Sequence, residues 1–172
     1  NSLVAVYEIT WNLASLFSLF GSSITKTLFP EMSKTSSAEN TNDGVSNLLR
    51  TGLAYMGLFI IPGLVGSAII GDIVLTIYGP GFEKGYYILL ILTFARLLYG
   101  YMGQFTTTLG AIDRPDLTFR INAVFVAANF VLNLMLTPPF GWYGAAAATT
   151  TSTTVGLLMG YYYTNQHVTV PI

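Results

Sequence analysis

LVAVYEITWNLASLFSLFGSSITKTLF, residues Leu3 to Phe29, decides the fold class. It is long and apolar enough to span a bilayer, which takes about 20 residues. Yet Glu8, Asn12, Ser15, Ser22 and Lys26 recur at helical spacing and fall within roughly 40° of one line. A helix that met only lipid would have no use for that stripe, because an unpartnered polar group in hydrocarbon costs several kcal/mol, as an order of magnitude. One side of this helix therefore faces a cavity or polar partner helices.

Outward from this stretch the same physics repeats. Pro30 and the polar run EMSKTSSAENTNDG are expected to close the helix and form a solvated loop over residues 31–47, with a turn at Asn42-Asp43-Gly44. Further spans are expected over 45–78 (kinked at Pro62, with Asp72 capping a short continuation), 86–112, 116–137 and 142–164. Arg96 lies near the centre of the third, on one face with Gly100, Gly103, Thr107 and Gly110. The fourth carries Thr118, Asn122, Asn129 and Asn133 on one line, a second wet stripe. Gly156 and Gly160 form a GxxxG pair that predicts close helix packing in the fifth.

The fold class that follows is all-α, a polytopic membrane helix bundle of about five transmembrane helices. Composition agrees, with 52% hydrophobic and 9% charged residues and a mean hydropathy of +0.59, where soluble domains carry about a quarter charged residues. A net charge of −1 offers no basic surface for nucleic acid, and the absence of Cys removes disulfides and thiolate metal sites. The start at Asn1 and the end at QHVTVPI read as those of a fragment, a single partial transmembrane domain over 1–172. Lys26, Lys34, Arg50, Arg114 and Arg120 gather on one side and only Lys84 on the other, which places the N-terminus outside and the C-terminus inside by the positive-inside rule.

No constellation for catalysis, for a metal or for a cofactor is visible. GPGFEKG (79–85) lacks the ending of a phosphate-cradling loop, and His167 reads as a solvated histidine beyond the last span. Arg96 is the sharpest residue, since an arginine at a helix centre costs about 2.5 to 3.5 kcal/mol on insertion scales and so faces protein or water. Two readings stand for it: a cation that meets an anionic phosphate or sugar acid, or a structural pair with Glu8 or an asparagine of the fourth span. The candidate cavity set is Arg96, Glu8, Asn12, Ser15, Thr107, Asn122, Asn129 and Asn133, and interhelical hydrogen bonding explains the asparagines equally well.

Three segments in order resemble polysaccharide flippases of the Wzx type, in the MOP superfamily. They are VAVYEITWNLASLFSLFGSSITKTLFPEMSK, IVLTIYGPGFEKGYYILLIL and LGAIDRPDLTFRINAVFVAANFVLNLMLTPPFGWYGAAAAT. The resemblance implies a carrier of roughly twelve to fourteen helices in two bundles, with this chain as most of the second and an N-terminal bundle missing. It also implies a lipid-linked oligosaccharide as substrate, flipped across the cytoplasmic membrane by alternating access, its headgroup in a hydrophilic cavity and its tail left among membrane lipids. The matched Pro30, Glu31, Gly79, Asn133 and Gly144 are turn, cap and packing positions and bring no binding role with them. Alternatives are a multidrug exporter of the same superfamily, which would want cavity carboxylates where only Glu8 qualifies, and a small substrate-capture subunit of a vitamin importer, which would begin with Met.

Overall fold

The structure, a computed structural model, describes residues 2–37 and 41–170. Among these, every regular element is helical: α1 (Ser2–Ser36), α2 (Thr41–Thr76), a single 3₁₀ turn (Phe82–Gly85), α3 (Tyr86–Ala111) and α4 (Pro115–Asn165). All four α-helices are long and apolar enough to cross a membrane.

At 51 residues α4 would reach about 75 Å if straight, more than twice a hydrocarbon core of about 30 Å. It folds back instead. Gly141 adopts φ 57 and ψ −133, and the flanking legs run antiparallel: Asn129 bonds Ser152, and Arg114 near one end bonds His167 near the other. The reversal, in TPPFGWYG, is where a tight connection between two spans is expected from sequence. Each leg, 115–140 and 142–165, is long enough for a crossing of its own, so the four long helices include one folded in two where two spans were expected.

Other boundaries differ from expectation. Pro30 does not close α1, which continues to Ser36, and Asn42-Asp43-Gly44 is no turn but part of the first turn of α2. The expected loop over 31–47 is thus mostly helix, and its residues 38–40 lie outside the described part. A proline removes one N–H, but when neighbouring turns continue the ladder and helices pack alongside, the loss does not end a membrane helix. Asp72 caps no new helix, since α2 runs through it; its carboxylate accepts from the N–H of Ile73.

α3 is the keel. It packs against α1, α2 and α4, whereas α4 packs chiefly against α3. Its most apolar window is 44% buried, against 6% for that of α4. Close approach to α3 follows from small residues: a Cβ on Gly156 would overlap Met102, and one on Gly160 would press on Phe105. Several threonines before them return their hydroxyls to their own helix, as Thr149 does to Ala145 and Thr153 to Thr149, while the Thr164 hydroxyl is buried without a partner among the described residues. Residues just beyond α4 pack back on the bundle. Val168 and Val170 are buried, and Ser46 donates to the carbonyl of Thr169.

Gln104 is fully buried on α3, donating to the Thr25 hydroxyl of α1 at 3.2 Å while its side-chain amide oxygen has no partner among the described residues. An unpaired buried acceptor costs about 1 to 3 kcal/mol, so an apolar residue of similar volume is tolerated. Gln104→Met is expected to leave the thermal unfolding midpoint unchanged or to raise it, measured on the full-length protein in detergent.

Candidate substrate cavity

With α3 as floor, α1 forms one wall and the α4 hairpin the other. Arg96 sits at the junction. Its guanidinium donates to the Ser15 hydroxyl at 2.8 Å and lies over the Trp11 ring, 4.2 Å from the centroid. Ser15 serves as a relay, accepting from Arg96 and donating to the carbonyl of Trp11 at 2.7 Å. A cation over an indole face is worth about 2 kcal/mol when desolvated, so ring and hydroxyl together hold the charge in place.

Neither structural pairing expected for Arg96 is present. Glu8 and the asparagines of α4 do not bond it, and among the described residues no carboxylate lies within ion-pair distance of it. Ser15 and Trp11 orient the guanidinium without neutralising it. Its charge is left for something else to meet.

Arg96 lines two clefts, and a third adjoins one of them through Trp11 and Thr149. The adjoining one, of about 540 Å³, is lined by Tyr7, Glu8, Trp11, Asn12, Asn129, Asn133 and Thr149. A second, of about 200 Å³, runs beneath Arg96 between Trp11, Tyr99, Phe125 and Thr153. A third, of about 390 Å³ between α1, α2 and α3, carries Arg96 and Lys26 with Ser18, Ser22, Gly100 and Gly103. The wet lines of α1 and α4 therefore meet across the first cleft, and α3 delivers its cation between the walls.

Six of the eight candidate positions come together here: Arg96 with Ser15 by hydrogen bond, and Glu8, Asn12, Asn129 and Asn133 around one cleft. Two do not. Asn122 is exposed, and Thr107 is half-buried one turn beyond Gly103; neither lines these clefts. Helical periodicity sets their angle about the axis but not how far along it the opposite wall extends. The asparagines are also bonded to one another, from Thr137 to Asn133, Asn133 to Asn129 and Asn129 to Ser152, which joins the two legs. Glu8 and Asn12 are exposed and have no hydrogen-bond partner among the described residues. Trp11, Tyr99 and Thr149 are absent from the sequence-derived set. Trp11 is one turn from Ser15 on the edge of the polar line, and an aromatic flanking such a line in a chain with one mid-span arginine is the signal that points to it.

His167 is not the free surface histidine expected. Its Nε2 accepts from Arg114 at 2.7 Å and its Nδ1 donates to the carbonyl of Tyr163 at 2.9 Å, which ties the ends of the α4 hairpin together. Arg114 also reaches Asp116 at 3.4 Å. Among the described residues no cluster of three or more His, Cys, Asp or Glu side chains is placed to hold a metal.

The family model described as "Lipid II flippase MurJ" matches residues 2–172. The chain belongs to the MurJ flippase family, within the MOP superfamily. This MurJ-family chain is similar to two proteins of Haloferax volcanii. It is 38% identical to one named "Probable flippase AglR" over 148 residues, 84% of this chain and 31% of that protein. It is 28% identical to one named "Probable low-salt glycan biosynthesis flippase Agl15" over 170 residues, 98% of this chain and 36% of that protein. The MurJ-family chain thus spans about a third of the length of these relatives. No solved structure matches it. The family is one of membrane transporters, and the helices are those of a multi-pass membrane protein.

Proposed function

We propose that the chain is part of a longer transporter that flips a lipid-linked oligosaccharide across the cytoplasmic membrane, and that it supplies one half of the central cavity. The observation that carries this reading is Arg96, a mid-span cation held by Ser15 and Trp11, with no carboxylate against it among the described residues and a cleft on each of two sides. A lipid-linked sugar presents phosphate beside many hydroxyls. The guanidinium is a bidentate match for the phosphate, and Glu8, Asn12, Asn129 and Asn133 offer donors and acceptors suited to the hydroxyls. The names of both relatives, one of them a glycan biosynthesis flippase, support the same class.

A missing N-terminal bundle faces the polar line of α1 in this reading. The exposed Glu8, Asn12 and Ser22 would otherwise meet hydrocarbon. Hairpin topology sets Lys26, Lys34, Arg50, Arg114 and Arg120 at one end of the bundle and Lys84 at the other, which supports a C-terminus on the inner side. Alternating access would then expose Arg96 to each side in turn.

Reconstitution tests the proposal. The full-length protein, placed in vesicles with a fluorescent diphosphate-linked oligosaccharide on a lipid tail, is expected to move the headgroup between leaflets, read by its accessibility to an impermeant quencher. Movement no faster than in protein-free vesicles overturns the reading.

A further inference from the structure

Where the chain leaves α4 it turns across one end of the bundle. The amides of His167 and Val168 donate to the carbonyl of Thr164, and further on the carbonyl of Thr169 accepts from the Ser46 hydroxyl near the start of α2. Val170 packs with Met32 of α1, Leu49 of α2 and Ala111 of α3. Residues 166–170 therefore form a short strap from α4 to the other three helices, with Val168 and Val170 buried beneath it.

The side chain that fastens this strap can change its charge. A guanidinium only donates, so the Nε2 of His167, 2.7 Å from Arg114, must be an acceptor, and the Nδ1, 2.9 Å from the carbonyl of Tyr163, must carry the hydrogen. Both bonds together require a neutral ring in one tautomer. A second proton enters only at Nε2, where it sets N–H against N–H and charge against charge. No carboxylate offsets that clash: among the described residues none lies within ion-pair distance of His167, and Asp116 meets the Nε of Arg114, at 3.4 Å, rather than the imidazole. Of the other charged groups at this end, Glu31 and Lys34 on α1 pair with each other, and Asp43 and Arg50 on α2, Asp113 in the turn after α3 and Arg120 on α4 make no bond to the ring.

We propose that His167 and Arg114 are a proton-operated latch on the strap. Neutral His167 holds it closed, and protonation releases it, parting the two ends of the α4 hairpin and loosening the start of α2. The open form binds the extra proton, so closure is favoured as pH rises, across the range of about 5 to 8 in which histidine titrates. Release is local. The legs of α4 remain joined through Asn129 and Ser152, and Gly156 and Gly160 remain against α3. The latch does not depend on what the transporter carries, so its failure leaves the flippase reading untouched.

Hydrogen exchange of the full-length protein in nanodiscs tests it, at about pH 8 and about pH 5.5 and corrected for the intrinsic pH dependence of exchange. Peptides covering residues 164–170 and 43–50 are expected to exchange about tenfold faster at the lower pH, the size of one lost hydrogen bond to a charged group. Residues 120–135 are expected to show no such step. His167→Gln offers Arg114 an amide oxygen that does not titrate, and Arg114→Gln can donate to the neutral ring or accept from the charged one, so each is expected to abolish the step. His167→Lys, a cation at both pH values, is expected to match the low-pH wild type throughout. A wild-type protein without the step, a step that persists in both glutamine variants, or one shared by residues 120–135 overturns the inference.

Discussion

Gly144→Ala is expected to prevent the α4 hairpin from closing. A Cβ at this position would overlap the carbonyl group of Leu136, across the reversal, and press on the backbone of Thr137. Backbone atoms cannot rotate aside as a side chain does, so relief requires prising the two legs apart. The legs hold together through Asn129 and Ser152 near their middle and Arg114 and His167 at their ends, and those bonds would be lost with the closure. The cost belongs to the tail of point-mutation effects, about 4 kcal/mol or more. Gly141→Ala strains only the local backbone, at φ 57, and is expected to cost about 1 to 3 kcal/mol. The yield of monodisperse full-length protein and its thermal midpoint measure both. A Gly144→Ala protein as stable as the parent would disprove the packing described for the turn.

Arg96→Met is expected to separate function from stability. It removes the guanidinium that donates to Ser15 and lies over Trp11, and it fills much of the same space with an apolar chain. Truncating one partner of a charge-assisted contact costs about 2 to 5 kcal/mol, so transport of the lipid-linked glycan should fall at least about 30-fold. Stability should not follow, because no ion pair is broken and an arginine at mid-span costs about 2.5 to 3.5 kcal/mol to insert. Arg96→Lys keeps the charge but loses the planar fork and the stacking on Trp11, and is expected to recover part of the activity. Transport assays beside thermal unfolding check this. Undiminished transport by Arg96→Met would remove the residue from the cavity role, and a collapse in stability would make it structural instead.

Much of this is legible in the sequence. The stripe through Glu8 and Asn12 implied a wet wall, the Asn129 and Asn133 stripe implied a second, and these four residues border one cleft. GxxxG at Gly156 and Gly160 implied close packing, and those glycines face Met102 and Phe105. Helix ends were less legible. Pro30 carries the local chemistry of a stop, but whether a helix stops depends on whether neighbouring turns and helices compensate for one lost hydrogen bond. His167 looked solvated because its partner Arg114 is 53 residues away and only the reversal at Gly141 brings the two together. Of the two readings open for Arg96, the structural pair with Glu8 or an asparagine is absent for a related reason. Glu8 is the complementary charge, yet it lies two turns from Ser15, and proximity along the axis outweighs complementarity of charge.

Periodicity and composition are local properties, so the sequence by itself determined that this chain is a membrane helix bundle, which faces of its helices are wet, and that a cation sits at mid-span. The tertiary structure alone decided which faces meet and at what depth: that α3 is the keel, that Ser15 and Trp11 rather than a carboxylate hold Arg96, and that His167 meets Arg114 across the folded α4. The physical reason is that a helical pattern specifies an angle about an axis but carries no information on the axial offset between neighbours. Packing sets that offset, through glycines at 63, 144, 156 and 160 whose missing side chains let particular turns approach.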